Sequence, residues 1–229
     1  MMNRRRFCLG LTGLLSATVM PFTACAADKQ PIKAYIIHGY GATVHDHWFP
    51  WLHHKLESAG IKSVLVDLPD SLHPDFENWQ SALAKQIGMP DENSVFIAHS
   101  LGTISLLHYL SRLRPQKVGG IILAAGFGQR IPGLSEINGF NLDAYIDHIK
   151  IDFAAVRAMA RQIYCIISDN DPIVPPKSSE RLAHQLHAHV YRVANAGHFL
   201  ASDGFTELPV VWQAVEKCLI ERHNGEKNV

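Results

Sequence analysis

The sequence predicts an α/β fold: a compact, doubly wound, mostly parallel sheet of about six strands, with helices on both faces and a minimal lid. Three observations carry this. Short β-branched apolar runs alternate with longer amphipathic segments along residues 28–229. Each run is apolar almost throughout, as a strand covered on both faces must be, whereas a half-exposed strand would alternate. No low-complexity linker, repeat or charge block interrupts the chain after Ala27, so 28–229 reads as a single domain.

Taken in order, the run 34–37 is the first strand and ends at His38-Gly39-Tyr40-Gly41. A helix over 48–59 leads to the second strand, 63–66, and a helix over 77–87 to the third, 94–98. The helix over 101–113 follows with no intervening loop, and Leu101, Ile104, Leu107 and His108 recur along it at helical spacing. The fourth strand, 118–124, opens into an excursion over 126–160 that is glycine-rich over 126–140, with Arg130-Ile131-Pro132-Gly133 in the middle of that part. That excursion has room for a loop and short helices, one of them over 152–161, which predicts a shallow, open site. Strand 163–167, helix 178–186, strand 189–193 and helix 208–222 complete the pattern. Strand–helix alternation implies right-handed crossovers. In such sheets ligands bind at the carboxyl ends of the strands, so chemistry belongs there.

Composition narrows the function classes. Lys and Arg balance Asp and Glu for a net charge of zero, which argues against an electrostatic nucleic-acid partner. Cys8, Cys25, Cys165 and Cys218 form no spaced framework and no Cys-x-x-Cys, so neither a disulfide scaffold nor a zinc site is expected. His45-Asp46-His47 and His53-His54 are rich in metal-binding side chains, yet no partner cluster follows at usable spacing, and no metal or other cofactor is predicted. Trp48, Phe49 and Trp51 at a helix start read as core or pocket wall, not as a platform for stacked bases.

Residues 1–27 read as an export signal. Arg4-Arg5-Arg6 precede an apolar stretch from Cys8 to Phe22, and small residues follow at Ala24-Cys25-Ala26-Ala27. Arg4-Arg5-Arg6-Phe7 resembles the twin-arginine motif, although three arginines do not separate that route from general secretory export. Cleavage near Ala26 or Ala27 would leave an exported, periplasmic or extracellular protein with no stable membrane span. Phe22-Thr23-Ala24-Cys25 is a degraded lipobox, so a lipid anchor at Cys25 is the second reading, and an uncleaved N-terminal anchor the third.

At the end of the third strand, Ala98-His99-Ser100-Leu101-Gly102 runs straight into a helix. This is the nucleophile-elbow context of Gly-x-Ser-x-Gly, with Ala98 in the first glycine position. Small residues two before and two after the serine let strand and helix backbones approach. The turn then lifts the hydroxyl clear of the sheet at a helix N-terminus, where a developing oxyanion is favoured. Read alone, such a serine is also an ordinary helix cap. A serine nucleophile needs a base, and His198 follows the last strand in Gly197-His198-Phe199. The acid should leave the strand between them, where Ser168-Asp169-Asn170-Asp171-Pro172 follows 163–167. Asp171 is the candidate and Asp169 the residue that closes the turn, although Asp before Pro is also common in plain turns. Three such residues in chain order, on the right elements, make a joint signal that none makes singly. The oxyanion donors are assigned to the backbone N–H groups of Tyr40 and Leu101. The Tyr40 side chain either lines an acyl pocket or packs on its loop. His47, His99 and Phe127 are candidates to line the substrate pocket, with Phe140 and Tyr145 beside them.

With these residues placed, the chain resembles the small serine hydrolases related to retinoblastoma-binding protein 9, within the α/β-hydrolase superfamily. The shared features are His38-Gly39-Tyr40-Gly41, His47-Trp48-Phe49-Pro50-Trp51, Pro69-Asp70, Pro74, Trp79, His99-Ser100, Asp169-Asn170-Asp171-Pro172 and Gly197-His198-Phe199. They span residues 33–222. The resemblance implies a compact α/β-hydrolase with little or no lid and a triad of Ser100, Asp171 and His198. Ala98 departs from the family's usual glycine, and the leader is absent from many cytosolic relatives. The resulting expectation is a serine hydrolase of the carboxylesterase kind, cleaving small acyl esters or thioesters through an acyl-enzyme. A serine peptidase or amidase is the alternative within that chemistry. A catalytically silent interaction module on the same fold is the alternative outside it.

Overall fold

The computed structural model describes residues 30–226, with side chains through residue 220. The expected export signal over 1–27, with Cys25, lies outside the described residues. Within them, six strands form one sheet in the order β2-β1-β3-β4-β7-β8. These are β1 (Lys33–Ile37), β2 (Lys62–Val66), β3 (Ser94–His99), β4 (Gly120–Ala124), β7 (Ile163–Ser168) and β8 (His189–Val193). Every pairing among them is parallel, with Ile37 opposite both Val66 and Ala98, and Ala98 opposite Leu123.

Parallel pairing follows from the apolar runs. Along β3, Phe96 and Ala98 enter one hydrophobic cluster and Val95 and Ile97 the other, so successive side chains supply opposite layers. One layer buries Trp48, which precedes α1 (Phe49–Ser58), and Phe49, Leu52 and Leu56 within it, with Val211, Ala214, Val215 and Cys218 of α7 (Pro209–Glu226). The opposite layer packs Trp79 and Leu83 of α2 (Phe76–Ile87), α3 (Leu101–Leu113), and Leu182 and Leu186 of α6 (Pro176–Leu186). Edge strands β2 and β8 are the partly exposed ones, with Lys62, His189 and Arg192 turned to solvent. Charge on an edge discourages pairing with another sheet.

Helix ends follow local chemistry. The Asp75 carboxylate accepts from the Asn78 N–H at 2.8 Å to start α2, and Gly88 at φ 67 stops it. The helix read over 152–161 is shorter, Phe153–Met159 (α5), because Asp152 is its cap and Ala160 is extended, bridged to Val118. For the same reason the run read over 118–124 contributes only Gly120–Ala124 to the sheet proper. The excursion after β4 also holds a two-stranded hairpin, β5 (Glu136–Ile137) with β6 (Phe140–Asn141), and a short helix, α4 (Leu142–Asp147). Among the described residues, no helix is long and apolar enough to cross a membrane.

Candidate active site

Strand β3 delivers Ser100 to the first turn of α3 in a conformation no ordinary helix cap adopts, with φ 52 and ψ −126. A non-glycine residue in that region is strained, and it is held here by its neighbours. The Ser100 N–H donates to the Ala124 carbonyl at 3.0 Å, anchoring the turn to β4. Gly102 packs against the His38 carbonyl so closely that an added Cβ would collide with it. Gly39 sits against the same turn, its Cβ direction ending 2.9 Å from the Ser100 Cβ and 3.1 Å from the Leu101 nitrogen. The loop after β1 and the elbow therefore touch backbone to backbone, with the Leu101 nitrogen at the contact. Ala98 is fully buried between β1 and β4, where a methyl group fits.

The three residues singled out for chemistry lie in one hydrogen-bonded row. The His198 Nδ1–H donates to Asp171 Oδ2 at 2.7 Å, and His198 Nε2 accepts from the Ser100 hydroxyl at 2.8 Å. All three are buried, with Ser100 8% exposed. The second Asp171 oxygen accepts from the Ile173 and Val174 N–H groups, each at 2.9 Å, which fixes the carboxylate plane. In this arrangement the imidazole can take the hydroxyl proton while the carboxylate, itself remaining ionised, orients the ring and stabilises its charge.

The loop carrying His198 is held by side chains from several elements. Asp169 accepts from the Asn195 N–H at 2.7 Å, Asn170 from the Gly197 N–H at 2.9 Å, and Asp203 from the His198 N–H at 2.8 Å. Asp169 thus ties its turn across to the loop after β8, whereas the sequence pointed to it as the residue that closes the turn itself. From below, the His99 Nε2–H donates to the His198 carbonyl at 2.9 Å, with the two rings 4.9 Å apart. His99 is 2% exposed, so its side chain supports the site from the core instead of lining an opening, and burial holds its ionisation well below the usual histidine range. Phe127 is likewise a core residue, 2% exposed. His47 is half-buried at φ 54, and its Nδ1 accepts from the Ala201 N–H at 3.0 Å. Burial also lowers its ionisation, with Asp46 opposing and the neighbouring His198 reinforcing the shift.

Tyr40 turns its side chain away from the row. Its hydroxyl donates to the Ile137 carbonyl at 3.1 Å, and its ring stacks on Phe140 at 5.3 Å, docking the β5–β6 hairpin on the loop after β1. Tyr145 is buried behind Phe140 and shares a 2.9 Å hydrogen bond with Ser105 of α3. His38 is fully occupied in structure: Nδ1–H donates to the Gly39 carbonyl at 2.9 Å, and Nε2 accepts from the Leu68 N–H at 3.0 Å. Asp203, Asn170 and His47 were not singled out as supports of this loop from the sequence. Only the run Asp169-Asn170-Asp171, three oxygen-bearing side chains beside one strand end, gave a signal for any of them. Among the described residues no three His, Cys, Asp or Glu side chains group to hold a metal ion.

Comparison with known proteins agrees with this architecture. The serine hydrolase family profile matches residues 34–217. The chain is 39% identical to YdeN of Bacillus subtilis (strain 168) over 185 residues, covering 80% of this chain and 94% of that protein. It is 25% identical to serine hydrolase RBBP9 of Rattus norvegicus over 173 residues, 74% and 88% of the respective chains. The crystal structure of the ydeN gene product superposes with a TM-score of 0.76 at 35% identity, covering 82% of this chain and 98% of that one. Est1E of Butyrivibrio proteoclasticus shares the fold at a TM-score of 0.64 and 16% identity, over 85% and 89% of the chains. With its six-stranded parallel sheet covered on both faces, this chain is a hydrolase of the α/β fold and belongs to the serine hydrolase family.

Proposed function

We propose that this protein cleaves small acyl esters or thioesters with Ser100 as nucleophile, His198 as general base and acid, and Asp171 as the orienting carboxylate. The observation that carries the reading is the unbroken row from Asp171 through His198 to Ser100, at 2.7 and 2.8 Å, on a turn strained to φ 52. Ser100 Oγ attacks the acyl carbonyl carbon while its proton passes to His198 Nε2. The Asp171 carboxylate stabilises the imidazolium, and the Tyr40 and Leu101 N–H groups donate to the oxyanion. Collapse expels the alcohol or thiol, which takes the proton from His198. Water then gives a proton to His198 and attacks the acyl-enzyme, releasing the acid and restoring the Ser100 hydroxyl. An ester or thioester is favoured over an amide because its leaving group needs less protonation.

The test is labelling with a fluorophosphonate probe, alongside p-nitrophenyl esters of increasing acyl length and aminoacyl amides. Wild-type protein should label and Ser100→Ala should not. An unlabelled wild type would favour an interaction module on the same fold, and faster amide than ester turnover would favour a peptidase. Residues 1–27 are proposed to direct export, with removal near Ala26 or Ala27. N-terminal sequencing of protein recovered outside the cytoplasm tests this, and an intact Met1 there would overturn it.

A further inference from the structure

The loop that presents His198 is tied across the elbow to the loop after β1 through one imidazole. His47 Nδ1 accepts from the Ala201 N–H at 3.0 Å, joining residues far apart in the chain, and the His47 ring lies 5.9 Å from that of His99, on which His198 rests. The other side chains holding this loop act differently on protonation. Asp169 and Asp203 accept as carboxylates, Asn170 accepts as an amide, and His99 donates, so it still donates when charged. His47 alone among these is a neutral ring nitrogen acceptor that loses its lone pair when the imidazole takes up a proton.

We infer that His47 is a positioning residue for His198: in its neutral form it latches Ala201 and holds the base against Ser100, and its protonation releases that latch. A protonated ring would set a donor against the Ala201 N–H and bring a positive charge toward His198. This rests on the Ser100 mechanism proposed above. The groups around the ring are Asp46 on its own loop, His38 at the end of β1, His99 in the elbow, and His198 and Asp203 on the loop after β8; Phe49 of α1 packs edge-on. Asp46 and Asp203 favour the charged ring, whereas burial, His198 and His38 oppose it, and the balance lowers its ionisation, leaving the latch closed at neutral pH.

The variants that test this are His47→Asn, whose Oδ1 stands where Nδ1 stood, and His47→Phe, which keeps the ring and removes the acceptor. Fluorophosphonate labelling rates are measured from pH 8 to 5, with the Ala201 amide proton followed by NMR over the same range and melting curves confirming folded protein. His47→Phe should label about ten-fold more slowly at neutral pH, the weight of one lost hydrogen bond, while His47→Asn recovers most of the rate. In the wild type the acid limb should fall more steeply than one proton allows, and the Ala201 amide should shift with it. In His47→Asn the limb should return to one proton and the Ala201 shift should flatten. Equal labelling of the Asn and Phe variants, or an Ala201 amide indifferent to pH in the wild type, overturns the latch alone. A wild type that takes no label overturns the nucleophile assignment, and the latch with it.

Discussion

At Gly102 a single methyl group decides whether the elbow closes. An added Cβ would overlap the His38 carbonyl oxygen, a backbone atom already fixed between β1 and the β2 side by the two bonds of the His38 ring. Gly102→Ala should therefore destabilise the fold by about 3 kcal/mol, read as a lowered urea midpoint, because overpacked backbone cannot relax. Ala98 has the opposite standing. Its methyl is buried without conflict, so Ala98→Gly should cost about 1 kcal/mol through strand flexibility and leave the elbow intact. The reacting side chains should behave as a unit: Ser100→Ala and His198→Ala should each lower turnover by about 10⁴ or more, and the double variant little further. Multiplicative losses, measured as kcat of the three proteins, would contradict a shared mechanism.

Among the elements, the β5–β6 hairpin has almost no ladder of its own. It is held by the Tyr40 hydroxyl on Ile137, by the Tyr40–Phe140 stack, and by the Arg130 guanidinium, which pairs with Asp143 and Asp147 beyond it. The Arg130 pairs are solvent-exposed and contribute little. Tyr40→Phe should thus speed amide exchange across 134–141 several-fold, equivalent to about 1 kcal/mol, while leaving the sheet amides unchanged. The hairpin was not legible in the sequence, because two-residue strands are too short to show alternation, although Asn138-Gly139, both at positive φ, is the dipeptide such a turn needs. The four inner strands were legible for the opposite reason: each is covered on both faces and reads as an almost unbroken apolar run, whereas the partly exposed edge strands β2 and β8 were legible from their valines and their place in the strand–helix alternation. Ser100, Asp171 and His198 were legible because each lies in the turn or loop just beyond the carboxyl end of a strand. The supports of His198 were not, since Asp203, Asn170 and His47 gain their roles only where separate loops converge.

Across the whole molecule, histidine burial sets the response to acid. His38 and His99 lie 1% and 2% exposed, and loss of solvent lowers the ionisation of both below the ordinary value. The folded state keeps them neutral while the unfolded chain takes up protons below about pH 6.5, so the unfolded state binds more protons there. Their contribution is complete above that pH and is lost as pH falls from it toward the depressed folded values. The slope approaches about 1.4 kcal/mol per pH unit for each ring still neutral. Urea melts from pH 8 to 5 should show stability declining before any carboxylate titrates, and His99→Gln should flatten the decline. A level profile down to pH 5 would contradict this account. The two cysteines in the described residues lead to a different expectation. Cys165 faces the layer of α3 and α6, Cys218 on α7 faces the other, and the sheet stands between them. Burial pushes both thiols up to about 12, so neither supplies a thiolate for exchange. This domain should accordingly melt at the same temperature with and without dithiothreitol, making its folded state indifferent to the redox potential of the compartment that holds it.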